Sequence, residues 1–177
     1  MTFAEKIRLT IESVRRTPVM DLDGPRFVHA YRMKTHFCLP GDEVTYRGLV
    51  DTGAPLTVLP EAVWTPHLNF LQRVTAPRGQ ELPKWLLSIR GIDSGSRMDC
   101  VPAFVMIQFF DIEQRFLKPR RIMVKCALDG GAIEQTLIGL GGHVWDKSRL
   151  EIEYNVSSTD HHDEHAAWLN EMESRTV

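Results

Sequence analysis

Gly48-Leu49-Val50-Asp51-Thr52-Gly53-Ala54 is the stretch on which the fold of this chain turns. Two apolar residues run directly into an acid, a hydroxyl residue and a glycine. Leu56, Thr57, Val58 and Leu59 follow, again mostly apolar and β-prone. An acid between two buried, strand-like segments is costly unless something uses or neutralises it. Gly53 permits a tight turn with close backbone approach. Backbone N–H groups in such a turn can hold the carboxylate in a fixed plane, and the Thr52 hydroxyl can brace the turn against a partner. Asp-Thr-Gly is also an ordinary turn sequence, so its surroundings decide between a plain turn and a chemical site.

Outward from the acid, the texture from about Phe27 to Cys126 is one of short runs rich in Val, Ile, Phe, Tyr and Thr, separated by turn clusters. Val28–Leu39, the turn Pro40-Gly41-Asp42-Glu43 and Val44–Val50 predict a hairpin leading into Asp51. Trp85–Ile92, the turn Asp93-Ser94-Gly95-Ser96 and Met98–Phe110 predict a second. Arg121–Leu128 predicts a strand, ended by Asp129-Gly130-Gly131, and Glu134–Ile138 and Leu150–Tyr154 predict two more. Glu61–Leu71 and Gly142–Ser148 suit short helical turns. At the N-terminus, Phe3, Ile7, Ile11 and Val14 stand at helical spacing, which predicts a short amphipathic helix ended by Pro18. Ala166, Ala167, Trp168, Leu169 and Met172 predict a helix within Asp160–Glu173. The expected fold class is mainly β: a closed or nearly closed β-barrel with short helices at the N- and C-termini. The expected divisions are an N-terminal helical extension over 1–26, a β domain over 27–155 and a C-terminal helical tail over 156–177.

Composition narrows the function classes. At 177 residues the chain fits one domain with a sizeable core, and 43% hydrophobic with 25% charged residues is ordinary for a soluble globular protein. The net charge is -2 with Lys and Arg spread along the chain, so no nucleic-acid partner is expected. Cys38, Cys100 and Cys126 form no CxxC pair and fit reduced thiols in a cytosol. The first residues carry charges where a signal peptide needs an apolar run. Apolar stretches such as Ala103–Ile107 are far below a membrane span. A cytoplasmic protein with no membrane partner and no cofactor is the expectation. His161 and His165 stand four apart and suit a metal on one helix face. No third ligand is in register, acids at a helix start explain the cluster equally well, and no metal is assigned.

The order of motifs resembles the retropepsin-like, single-domain aspartic proteases. That family shows a hairpin, two apolar residues, Asp-Thr-Gly-Ala and then an apolar run often reading Thr-Val-Leu-Pro. Here these are Leu49-Val50-Asp51-Thr52-Gly53-Ala54 and Thr57-Val58-Leu59-Pro60. The family's later strand, glycine, short helix and last strand find counterparts in Thr136-Leu137-Ile138-Gly139-Leu140-Gly141-Gly142 and Leu150-Glu151-Ile152-Glu153-Tyr154. Its glycine-containing flap finds one in Ile89-Arg90-Gly91-Ile92-Asp93-Ser94-Gly95. The resemblance spans roughly 27–155 and implies an acid-protease fold.

It further implies an aspartic endopeptidase in which Asp51, Thr52 and Gly53 are catalytic. Ala54, Leu49, Ile89, Gly91, Ile92 and Ile138 are then candidate substrate contacts. Asp93 lies too near Asp51 in the chain to seat a second lobe and is read as a turn residue. One aspartate per chain implies a homodimer, acting on an extended peptide or protein substrate. Three features depart from the family pattern: Pro55 after Ala54, Leu140-Gly141-Gly142 where an Arg and an Asn or Asp are usual, and the added residues at both ends. The alternatives are a non-proteolytic dimerisation or peptide-binding module on the same fold, and an unrelated small barrel whose Asp-Thr-Gly is a simple turn.

Overall fold

The computed structural model describes residues 3–22, 24–41, 44–51, 53–90, 97–131, 133–139, 141, 148–153 and 166–171. Alternation, not helical recurrence, governs the first element. Ile7 and Leu9 are buried, Ile11 packs on the same core, and Arg8 between them is exposed. A spacing of four fits one helical turn, but it also fits two strand alternations. Leu9, midway between Ile7 and Ile11, selects the strand. The expected N-terminal helix is therefore corrected: Lys6–Asp21 is strand β1, and Pro18 lies within it opposite Phe27.

The expected C-terminal helix is corrected in the same way. Ala166–Glu171 is a strand, β11. Ala167 and Leu169, two apart, are buried at 0% and 3% exposure. This strand is hydrogen-bonded on both sides, to Lys6–Leu9 of β1 and to strand β10, Ser148–Glu153. Two ladders outweigh the weak helix preference of Ala, Leu and Glu.

Between these ends run β2 (Gly24–Cys38), β3 (Tyr46–Val50), β4 (Thr57–Leu59), β5 (Gln72–Arg73), β6 (Ser88–Arg90), β7 (Arg97–Phe110), β8 (Arg120–Ala127) and β9 (Thr136–Ile138). Among the described residues the strands form one sheet in the order β10-β11-β1-β2-β3-β9-β4-β8-β7-β5, with β6 paired to β7. The expected hairpins β2–β3 and β6–β7 are both present and antiparallel. An additional pairing of His36–Cys38 in β2 with Gln108–Phe110 in β7 closes β2, β3, β9, β4, β8 and β7 into a ring. The core inside includes Phe37, Leu39, Leu59, Ile107, Phe109, Ile122, Val124 and Ile138, all at 2% exposure or less. Burying each such side chain stabilises the fold by about 1.5–3 kcal/mol.

The predicted helical turn after the acid segment is present as helix α1, Glu61–Trp64, continued by a 3-10 turn over Thr65–Phe70. Glu61 and the 129–131 turn hold one another. The Glu61 N–H donates to Asp129 Oδ1 at 3.0 Å, and the Gly130 N–H donates to Glu61 Oε2 at 2.8 Å. Trp64 Nε1 donates to the Ala127 carbonyl at 2.9 Å. These contacts seat the segment leaving β4 on the end of β8. Of the second expected helical turn, Gly142–Ser148, residues 142–147 lie outside the described residues, and Ser148 is the first residue of strand β10. Among those described, no helix is long and apolar enough to cross a membrane.

Candidate active site

The acid turn takes its position from an unusual crossing of strands. β3 runs parallel to β9, with Val50 opposite Ile138. The chain then leaves β3, turns at Asp51 and returns as β4 on the other side of β9, with Val58 opposite Leu137. β9 thus lies between the strand entering the turn and the strand leaving it. Asp51 extends the ladder by one step, its N–H donating to the Ile138 carbonyl at 3.0 Å.

Within the turn the carboxylate is held by backbone. The Gly53 N–H donates to Asp51 Oδ1 at 2.9 Å. The Ala54 N–H donates to the Asp51 carbonyl at 3.3 Å. Asp51 is neither buried nor fully exposed, so one carboxylate edge is fixed and the group still reaches solvent. Among the described residues it has no ion-pair partner. A carboxylate held in this way can accept a proton from water or donate one when protonated.

The turn rests on two glycines of the segment after β9. A Cβ on Gly139 would lie 2.4 Å from the Leu56 carbonyl carbon, 2.5 Å from its oxygen and 2.8 Å from the Ala54 oxygen. A Cβ on Gly141 would lie 2.2 Å from the Pro55 oxygen. Only a residue without a side chain lets the two backbones approach this closely. Two departures from the family pattern, Pro55 and Gly141, therefore touch each other. Thr57 adds a further tie that its place in a β-prone run does not announce: its buried hydroxyl accepts the Gly139 N–H at 3.3 Å.

The structure brings Asp51, Gly53 and Ala54 together, with Leu49 half-buried just before them. Ile138 is 1% exposed and belongs to the core, where it packs against Gly48 and so supports the turn from below. Ile89 is half-buried in β6. Thr52, Gly91 and Ile92, with the rest of the predicted flap tip over 91–96, lie outside the described residues. So do His161 and His165.

No protein-family model matches the chain, and no curated protein matches it. Its coordinates are similar to a solved structure described as a retropepsin-like aspartic protease from Rickettsia conorii. That likeness covers 92% of this chain and 94% of that one, at 13% sequence identity and a TM-score of 0.41. Likeness at this level assigns no activity. The chemistry rests on the acid turn itself.

Proposed function

We propose that the chain is an aspartic endopeptidase that works as a homodimer, with Asp51 of each copy facing a shared water. The observation that carries this reading is the Asp51 turn, carried over the end of β9 and fixed by the Gly53 N–H at 2.9 Å. A turn built this tightly around a solvent-reaching carboxylate has little use as mere connection. We assign the body of the enzyme to 27–155, flanked by the terminal segments.

One carboxylate is half of the required chemistry. When two meet around a water, like charges at contact distance cannot both ionise, and the pair holds one proton between them. The ionised member takes a proton from the water as general base. The protonated member donates to the peptide carbonyl as general acid. The attacking oxygen bonds to the carbonyl carbon, and the C–N bond breaks as its nitrogen is protonated. Thr52 braces the two turns against each other. Leu49, Ala54 and Ile89 offer apolar contact to an extended peptide, which pairs with β6 by strand addition. Gly91 and Ile92 complete the hairpin that covers it.

The test compares wild type with Asp51→Asn on a library of unstructured peptides from pH 4 to 7. Wild type is expected to cleave and to be blocked by statine-type transition-state mimics. The variant is expected to lose activity by about 100-fold or more. Light scattering is expected to give a dimer at high protein concentration. Equal cleavage by both proteins removes the peptidase reading. Peptide binding by a dimer without any cleavage supports the non-proteolytic module instead.

A further inference from the structure

Lys125 is a buried charge that this chemistry leaves unused. It lies in β8, 6% exposed. Its backbone partners are Pro102 in β7 and Val58 in β4, the strand leaving the acid turn. Among the described residues no carboxylate lies within ion-pair distance of its ammonium. Nζ instead donates to the carbonyls of Trp85 and of Ser88, the latter at 2.9 Å, and lies 5.4 Å from the centre of the Trp85 ring. A buried, unpaired ammonium is costly, and burial draws the pKa of this lysine down, against a smaller opposing effect of Cys100. An apolar residue of the same length would avoid that cost.

The place of these contacts supplies a reason for keeping the lysine. β7 is paired with β8 from Cys100 to Ile107. Beyond Cys100, towards its start, β7 is paired with β6 alone, through Ser88–Arg90 and Arg97–Asp99. Lys125 therefore sits where a two-stranded ribbon leaves the sheet. The carbonyls at the ribbon's root are taken one after another. Lys84 accepts from Leu87 N–H and from the Ser88 hydroxyl, Leu86 from the Cys100 thiol, and Leu87 from the Cys100 N–H. Lys125 supplies the donors at 85 and 88. One side chain thus joins the ribbon that carries Ile89 to the strand pair β4–β8, which is continuous with the acid turn.

We propose that Lys125 is a positioning residue: it clamps the root of the β6–β7 hairpin at a fixed distance from the Asp51 turn. The clamp stands on its own geometry, and only its effect on substrate rests on the peptidase reading. The test is Lys125→Met, which keeps length and removes the donors. Amide exchange is expected to quicken at least tenfold at Leu87, Ile89 and Cys100, and to stay within twofold over Val105–Ile107. Equal acceleration in both regions, or none in either, overturns the clamp. Wild-type protein labelled with 15N-lysine gives a second readout that does not depend on the variant's folding. A hydrogen-bonded, slowly exchanging Nζ resonance is expected at neutral pH, unaltered in Lys118→Arg; its absence also overturns the clamp. If wild type cleaves peptides, Lys125→Met is expected to raise KM at least fivefold with kcat within threefold. If wild type does not cleave, the peptidase reading fails and the exchange measurements still decide the clamp.

Discussion

Gly139→Ala puts a methyl group where backbone already stands. The new Cβ would lie 2.4 and 2.5 Å from the Leu56 carbonyl carbon and oxygen, against 3.4–4 Å for ordinary contact. The overlap is roughly 1 Å, and the atoms in the way belong to main chain, which has no rotamer to change. The acid turn must lift from β9 to make room. Such overpacking costs about 1–3 kcal/mol, and a domain of this size loses about 2–4 °C in Tm for each kcal/mol. Thermal unfolding followed by circular dichroism, at one fixed protein concentration, is expected to fall by about 2–12 °C. Gly141→Ala presses on the neighbouring Pro55 carbonyl at 2.2 Å and is expected to cost a similar amount. The double variant separates this account from a general loss of stability. Once the turn has lifted for one methyl, the second meets less resistance. The combined loss is expected to fall short of the sum by about 1 kcal/mol. A Gly139→Ala protein within 1 °C of wild type, or a strictly additive double variant, refutes the close approach on which the site's geometry depends.

Two further outcomes follow from buried groups. Asp111 is 2% exposed; burial alone raises its carboxyl, but the backbone and side-chain donors of Arg115 and the Arg8 N–H outweigh that and lower it. A carboxyl lowered in the folded state adds stability above its unfolded pKa and loses it as pH falls through the native value. Denaturant midpoints measured from neutral pH downward are expected to drop below the ordinary carboxylate range, and Asp111→Asn is expected to be weaker at neutral pH with a flatter acid limb. An unchanged acid limb in the variant contradicts this. Burial, with a smaller contribution from Cys100, pushes the Cys126 thiol up to about 12, and burial also raises Cys100. With a disulfide reagent at neutral pH, half-buried Cys38 is expected to react first, and Cys100 and Cys126 only at the rate of unfolding. Equal rates for all three thiols exclude that arrangement.

Much of the ring is legible in the sequence. Runs rich in Val, Ile and Phe between turn residues marked both hairpins, and Glu61–Leu71 was readable as a helical turn. The terminal segments are ambiguous in sequence because residues such as Ile7 and Ile11 satisfy two periods at once. What separates the periods is which neighbour covers Leu9, Ala167 and Leu169, and the neighbours are distant strands. Lys125 was silent for a related reason: a lysine in a β-prone run looks like a solvated edge until a carbonyl-rich root packs over it.

By itself the sequence determined where an acid would stand between two apolar strands, since hydrophobic alternation and a glycine turn are local properties of neighbouring residues. Tertiary structure alone decided that β9 would slip between those strands, and that Gly139, Gly141 and Thr57 would bear on the turn. Residues so far apart in the chain, such as Thr57 and Gly139, meet only when backbone ladders close over a common core, and no local pattern records which ladder closes on which.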